Sequence, residues 1–559
     1  MEEKLRIGVF VCNCGTNIGG FLDVPEVAEY SKTLPGVVYV KENLFTCSES
    51  GVNEIKEGIK NNNLNRVVVA ACTPLTHEPT FRAACEEAGL NPYLFEFVNI
   101  REQCSWVHKN EREEATQKAK DLVRMGVARA SKLEPKDRIT AGVIPSALVI
   151  GGGISGLSAA LSLANRGFKV KLIEKEKKLG GLVKSLYKIY PENINAEEYI
   201  NQKINEVKKN KNINVFTSTE IKNVGGYIGN YKVKAENDKG NELNFDIGVI
   251  IVATGAKTLS PEGLFSYDGK KVIDMLQLED KLKNDGISQY KNFVMILCAG
   301  SRNNERVYCS RICCMSAIKN ALLIKEKNPE SKIFILYRDL QAYGTTNEET
   351  LRRAKINGIR FVNYSLNKLP EVEDNTVRVY NEILGKELLI PADLIILATP
   401  LVAPEDNENL SKKLKVTLDE NGFYLEAHIK LRPLDFSTNG IYVCGTAHWP
   451  ASTEESTTQA LGAAARSSIH LEKKYVMVEP IVSSVYYEDE CRGCGLCASL
   501  CPSNAIEMVE TPKGVKAKVI EVACRGCGIC GASCYRHAIR MNHFSDEQIK
   551  AQIRAFLEE

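Results

Sequence analysis

SALVIGGGISGLSAALSLANRGFKVKLIEKEKKLGG, residues 146–181, is the stretch that decides the fold. A strand-length apolar run leads into Gly151, Gly153 and Gly156, spaced G-x-G-x-x-G, then a helical pattern, then a second strand ending at Glu174. Each glycine has a distinct role. Gly151 allows a tight turn, Gly153 lets a pyrophosphate approach the helix N-terminus, and Gly156 lets the helix pack on the strand. The spacing predicts a βαβ unit that cradles a dinucleotide over Gly151, Gly153, Ile154, Ser155 and Gly156. Glu174 would accept from a ribose hydroxyl, with Lys175 beside it.

Three further features lie outward from this core. Gly180 and Gly181 follow the acidic residue; VIIVATGA brings Ala253, Thr254 and Gly255 to the end of a strand; and GIYVCGTA brings Gly445 and Thr446 ahead of a helix rich in small residues. Together they resemble the thioredoxin-reductase type of flavoprotein, which has two dinucleotide-binding domains. The resemblance implies FAD held by the fingerprint, the VIIVATGA strand end and the Gly445 turn. Thr446 departs from the pattern, because that family usually has Asp there on the ribityl chain. The alternative is a nicotinamide-only Rossmann domain.

A second glycine fingerprint, for NAD(P)H, should follow a later strand. The chain instead reads NFVMILCAGS, with Cys298 at the strand end, and then places Cys309, Cys313 and Cys314 at the start of a helix. The nicotinamide site reads as lost. Four thiols at one strand–loop–helix crossing suit a cluster cage, helped by the helix N-terminus; buried or redox-active thiols are the plainer reading. Lys319 lies five residues past Cys314 on the same helix. It is the candidate catalytic residue, within reach of cluster or flavin, unless it is a surface lysine.

The strongest metal signal is terminal. Cys491, Cys494, Cys497 and Cys501 are spaced x2, x2, x3 with Pro502 following, and Cys524, Cys527, Cys530 and Cys534 repeat the spacing. This is the bacterial two-cluster ferredoxin run, in which each fourth Cys serves the other cluster. One [4Fe–4S] cluster is assigned to Cys491, Cys494, Cys497 and Cys534, the other to Cys524, Cys527, Cys530 and Cys501. Gly493, Gly495, Gly526 and Gly528 would let each loop curl around its cube. Zinc is the competing ligand for paired CxxC motifs.

The remaining Cys set opens the chain: Cys12 and Cys14 in FVCNCGTNIGG, Cys47 in FTCSES, Cys72 after a strand, Cys85, and Cys104. Cys72 and one of Cys12 or Cys14 fall at strand ends, where α/β folds place sites. With Cys47 and Cys104 on loops, one four-thiolate cluster is possible here, with either Cys12 or Cys14 in it. His77, His108 and His448 read as structural.

Composition sets the frame for these motifs. The chain has 559 residues, 72 Lys and Arg against 70 Asp and Glu, and 19 Cys. A net charge of +2 offers no field for nucleic acid or an anionic membrane, and the longest apolar runs are far short of a span. The opening MEEKLRIGVF lacks a signal-peptide pattern, so a cytoplasmic location is expected, where thiols mean metal or redox chemistry. The expected division is an N-terminal α/β iron–sulfur domain at 1–140, a flavoprotein core at 146–475 whose second Rossmann-like module spans about 265–400, and an α+β ferredoxin-like domain at 476–559.

CNCGTNIGGFLDV at 12–24, RVVVAACTPLTHEPTFRAACEEAGLNPYLFEFVNIREQCSWVHK at 66–109, the glycine fingerprint, VYCSRICCMSAIKNALLIK at 307–325 and the doubled ferredoxin run are together similar to the A-subunit family of heterodisulfide reductase. That resemblance covers nearly the whole chain. It implies an oxidoreductase with one FAD and four [4Fe–4S] clusters that divides electron pairs between a high- and a low-potential path. The first domain's cluster is then expected on Cys14, Cys47, Cys72 and Cys104, with Cys12 as the substitute for Cys14. The resemblance also implies B- and C-type subunits, a hydrogenase- or dehydrogenase-type donor, a ferredoxin as a further partner, and a homodimer. Longer members insert another ferredoxin module, whereas here Gly181 runs on directly to VKSLYKIYPENINAEEY. Two other readings compete. One is a non-bifurcating component of an aromatic-ring, methylene-tetrahydrofolate or sulfur-metabolising complex; the other is a stand-alone FAD oxidoreductase, which would need the missing nicotinamide motif.

Overall fold

The computed structural model describes residues 4–557. The chain divides into two compact units: residues up to Thr140 with those from Met477 onward, and Ala141–Val476.

The first unit is built on a parallel sheet of Val37–Asn43, Ile7–Cys12, Arg66–Ala71 and Phe95–Asn99, in that order. Its two central strands are buried along their whole length, which is why they read as unbroken apolar runs rather than alternating ones. Side chains cap the connecting helices: Ser48 accepts from Gly51 N–H at Glu49–Asn61, and Thr73 accepts from Leu75 N–H at Pro74–Glu87. The carboxyl ends of all four strands therefore deliver their loops to one edge, and with them Cys12, Cys14, Cys47, Cys72 and Arg101.

The C-terminal part of this unit contains two antiparallel pairs, Ser483–Val485 with Ile539–Met541 and Ile506–Thr511 with Gly514–Val519. Two short helices, Leu496–Leu500 and Ile529–Ala532, each start from a left-handed glycine, Gly495 and Gly528. The last helix, Asp546–Leu557, packs along Arg112–Ala130. Beside it the buried Arg129 guanidinium is paired with Glu96, donates to the His543 carbonyl, and lies 4.6 Å from the Phe544 ring. Glu479 accepts from Tyr93 Oη at 2.8 Å and from Arg82 at 3.0 Å.

His543 itself is buried, and burial drives its imidazole down to about 3, with Arg129, Arg82 and Lys136 pushing the same way. Since the unfolded chain takes up this proton near 6.5, stability is complete above that pH. It should fall by up to about 1.4 kcal/mol per pH unit as the solution is acidified below it. Urea midpoints of the full chain at pH 7.5 and 5.5, with and without His543→Asn, should show the variant losing less on acidification. Equal acid sensitivity would exclude His543 as the source.

The second unit repeats one theme. A parallel sheet of Ile213–Phe216, Lys169–Ile173, Ser146–Ile150, Val249–Val252 and Ile441–Val443 carries the fingerprint at its central strand; the antiparallel strands Thr219–Tyr227, Asn230–Asn237 and Glu242–Ile247 form a separate sheet. A second five-stranded parallel sheet follows, ordered Val272–Asp274, Leu394–Leu397, Asn292–Ile296, Lys332–Tyr337 and Arg360–Asn363. It too is accompanied by three antiparallel strands, Glu371–Glu373, Thr376–Asn381 and Lys386–Pro391. Doubly wound sheets of this kind place ligands outside the carboxyl ends of their strands.

Candidate functional site

Within the second unit a cavity of about 270 Å³ runs from the fingerprint to the cysteine-bearing helix. Gly151, Gly153, Ile154, Ser155, Glu174, Lys175, Gly181, Ala253, Thr254, Gly255 and Thr446 line it on one side; Ile312, Cys313, Ser316 and Lys319 line it on the other. Gly156 and Gly445 shape the walls from behind. Gly151 has φ +111°, and a Cβ there would meet the Ala253 carbonyl at 2.2 Å; a Cβ on Gly156 would lie 1.8 Å from the Gly151 carbonyl. Gly153, at the start of Ile154–Asn165, faces open space, its nearest neighbour being Gly181 Cα at 3.8 Å. Glu174 accepts from Gly152 N–H at 2.6 Å and Glu176 N–H at 2.8 Å, which fixes its carboxylate at the second strand end. Lys175 pairs with Asp406 at 2.6 Å.

A flavin dinucleotide fits this lining. Glycine leaves the room a pyrophosphate needs at a helix N-terminus, and the buried Thr254 hydroxyl has no partner inside the protein. Ser452 and Glu455 form a capping box that starts Thr453–Lys473, and Gln459 of that helix accepts from Gly445 N–H at 3.1 Å. His448 is held between Glu426 at 2.9 Å and Gln459 at 3.4 Å, a satisfied buried histidine.

At the far wall Cys298 leaves its strand with φ +56°, a left-handed conformation that a non-glycine residue adopts at a cost. The loop that follows is tied down: Tyr308 Oη donates to the Leu401 carbonyl, Leu401 N–H donates to Ser310, and Arg311 reaches Glu455 at 2.5 Å. Arg311 N–H donates to Cys309 Sγ at 3.3 Å. Burial pushes the Cys313 thiol up to about 12, and Cys314, Cys298 and Cys309 add to it, which shows all four sulfurs within electrostatic range. Cys314 rises to about 11 chiefly by burial, with Cys298 and Cys309 again contributing. Such thiols are inert as free nucleophiles at neutral pH, but bound iron would take them as thiolates.

Lys319 is buried, 4% exposed. It pairs with Glu279 and donates to the Lys188 carbonyl at 2.8 Å, while Glu279 accepts from Tyr187 N–H at 2.9 Å. Burial pulls the ammonium below its ordinary range, and Glu279 opposes that. No local signal in the sequence linked Lys319 to a carboxylate forty positions away.

In the ferredoxin segment one small cavity is lined by Cys491, Cys494, Cys497 and Cys534, and another by Cys501, Cys524, Cys527 and Cys530. Each run's fourth Cys thus lines the other run's cavity. Amide donors point at the sulfurs: Ala517 to Cys491 at 3.5 Å, Ala505 to Cys501 at 3.2 Å, and Ser483 to Cys524 at 3.4 Å. Gly493 and Gly526 have φ +66° and +65°, and a Cβ on either would strike a carbonyl at 2.3 Å.

At the sheet edge of the first unit the gathered thiols are Cys12, Cys14, Cys47 and Cys72. Burial raises Cys72 to about 11; Arg101 draws it down, while Cys14, Cys12 and Cys47 push it up. Cys47 is raised by burial and by Cys12 and Cys14. Cys104, expected in this set, is not among them: a π-helical turn, Arg101–Ser105, carries its side chain into the core, where Sγ donates to the Ala115 carbonyl at 3.1 Å. Among the described residues no three Cys, His, Asp or Glu side chains could hold a single metal ion. A four-iron cube spreads its ligands over a larger space.

These sites define an iron–sulfur flavoprotein oxidoreductase. Residues 145–300 match the model of the pyridine nucleotide-disulphide oxidoreductases, and 490–538 match the 4Fe-4S dicluster domain, so the chain is a carrier of FAD and [4Fe–4S] clusters. It is 39% identical to the A subunit of the H(2):CoB-CoM heterodisulfide,ferredoxin reductase of Methanothermobacter thermautotrophicus, covering all of this chain and 98% of that one. It is also 39% identical to the second of two iron-sulfur A subunits of CoB--CoM heterodisulfide reductase in Methanopyrus kandleri (99% and 98% covered). A protein of Archaeoglobus profundus described as like the A subunit of heterodisulfide reductase is 34% identical (99% and 98%). Thioredoxin reductase of T. acidophilum superposes with TM-score 0.41 at 17% identity over 59% of this chain and 99% of its own. The chain belongs to the A-subunit family of heterodisulfide reductase. The alignments run to about 650 positions, so these relatives carry sequence that is absent here.

Proposed function

We propose that this chain is the flavin-based electron-bifurcating subunit of a cytoplasmic heterodisulfide-reductase-like complex, acting as a homodimer with B- and C-type subunits, a hydrogenase- or dehydrogenase-type donor and a ferredoxin. The observation that carries the reading is the one cavity that the glycine fingerprint and Cys313 line from opposite sides. Four relatives support the acceptors and donors by name: three read heterodisulfide,ferredoxin reductase, two of these with H(2) and one with H(2)/formate, and the fourth reads ferredoxin/F(420)H(2)-dependent.

Bound FAD would supply the exchange between two-electron and one-electron carriers that such a function requires. The chain's own residues hold the site for it. Gly151 makes the tight turn, Gly153 leaves room for the pyrophosphate at the helix N-terminus, Gly156 seats that helix on its strand, and Glu174 faces the ribose position. Buried Lys319 and Glu279, paired with each other, both line the cavity. Cys298, Cys309, Cys313 and Cys314 take the place of the second glycine fingerprint, leaving no close pyrophosphate approach in that module. Electrons would therefore come and go through protein partners. We assign clusters to those four Cys, to the two interleaved terminal sets, and to Cys12, Cys14, Cys47 and Cys72.

Anaerobic iron, sulfide and flavin analysis should give about sixteen irons per FAD. Cys309→Ala or Cys313→Ala should each lower this by about four while the terminal clusters stay. Unchanged iron in both variants would reduce those residues to ordinary thiols, and tight NADH binding by the isolated chain would remove the case against a nicotinamide site.

A further inference from the structure

Arg101 stands at the strand-end edge of the first unit, and the cluster function just proposed gives it no role. Its backbone is fixed, because Asn99 Oδ1 accepts from the N–H groups of both Arg101 and Glu102, at 3.1 and 3.0 Å. Its guanidinium is fixed on three sides. Nη1 reaches Cys14 Sγ at 3.6 Å, Nε and Nη2 grip Glu102 Oε1 at 3.1 and 2.7 Å, and the plane stacks 4.7 Å from the Trp106 ring centre. The turn that presents it is π-helical, a rare geometry concentrated at functional sites. Glu102 keeps its other carboxylate oxygen buried without a partner. Nothing in packing alone calls for a cation held against a thiol and half-neutralised by an adjacent carboxylate.

We propose that Arg101 is a positioning residue of the N-terminal thiol set: it holds Cys14 toward Cys12, Cys47 and Cys72 and raises the reduction potential of the [4Fe–4S] cluster they bind. The inference rests on that cluster assignment. Reduction adds one negative charge to a cluster. A fixed cation at hydrogen-bond range of a ligating sulfur stabilises the reduced state, and hydrogen bonds to cluster sulfurs tune potentials in the same direction. Glu102 opposes the cation and so sets how much of its field the cluster feels. Arg suits this position because its planar fork can bind a carboxylate, stack on an indole and face a sulfur at once, which a lysine cannot do.

The test uses the full chain, reconstituted anaerobically, with iron analysis and EPR-monitored redox titration; the N-terminal signal is the one missing in Cys72→Ala. Arg101→Gln should retain its iron and shift that signal's midpoint to more negative potential, with Arg101→Lys in between. Glu102→Gln should shift it to more positive potential, while the other clusters stay put in every variant. Opposite shifts from two adjacent residues are not what a merely structural role would produce. An unmoved midpoint in Arg101→Gln with iron intact overturns the role of Arg101 and leaves the cluster standing. Should Arg101→Gln lose the cluster, Glu102→Gln decides, and no positive shift there overturns the proposal. Full iron in Cys72→Ala overturns the cluster assignment and this inference with it.

Discussion

Gly156→Ala should yield a chain that purifies without FAD. The added Cβ would stand 1.8 Å from the Gly151 carbonyl oxygen and 3.0 Å from its carbon. Both are backbone atoms, so no side-chain rotation relieves the clash; the helix Ile154–Asn165 must lift from the strand Ser146–Ile150. Overpacking of a buried contact typically costs about 1–3 kcal/mol, and a backbone obstacle puts this substitution at or above the upper end. The same displacement carries the amides of Gly153 and Ile154 away from where a pyrophosphate would sit. Gly167→Ala is the control: φ is +92° but nothing lies within 4 Å, so only the left-handed strain of about 1–2 kcal/mol is added and flavin should stay. Flavin-to-protein ratios from absorbance decide it. A flavin-replete Gly156→Ala protein would mean that the fingerprint does not hold the dinucleotide.

Arg129→Ala should cost the first unit about 3–5 kcal/mol, the usual penalty for stranding one member of a buried ion pair. Glu96 would be left charged in the core, the His543 carbonyl would lose its donor, and Phe544 would lose the guanidinium above it. Because two of those three contacts reach the C-terminal segment, the loss should register locally. Amide hydrogen exchange in Asp546–Leu557 should speed up about a hundredfold or more, provided that this helix opens by the route Arg129 restrains. Replacing Glu96 and Arg129 together by apolar residues should recover much of the loss. Exchange unchanged in Arg129→Ala would show that the pair does not hold the helix.

What the sequence disclosed and what it hid follow from the range of the interactions. Gly151, Gly153 and Gly156 act on each other within six positions, and each Cys run curls on a single loop, so their spacing alone carries the chemistry. That Cys534 lines the cavity of the first run and Cys501 that of the second agrees with the spacing, because in the two-cluster ferredoxin pattern each fourth Cys serves the other cluster. The N-terminal thiols come from loops after separate strands, and choosing among them needs the geometry of a sheet edge. Cys104 looked eligible as a loop residue, yet one π-helical turn swings it into the core while presenting Arg101 in its place. Glu279 beneath Lys319, and His543 beneath Arg129, are contacts across 40 and 414 positions, which no local pattern encodes.

The composition of the first unit has a bearing on synthesis. Its α/β sheet leaves the ribosome before the flavoprotein unit, but the helix Asp546–Leu557 that covers Arg112–Ala130 emerges only after it. The entire flavoprotein unit must be translated in between, at about five to twenty residues per second. Throughout that interval the face of Arg112–Ala130 awaiting its partner is bare, and Glu96 and Arg129 have solvent in place of the His543 carbonyl and the Phe544 ring. The nascent chain is therefore incomplete at one definite surface until that helix is made. In the order of the chain the flavoprotein unit stands as an insertion: it interrupts a body that the segments on either side of it complete.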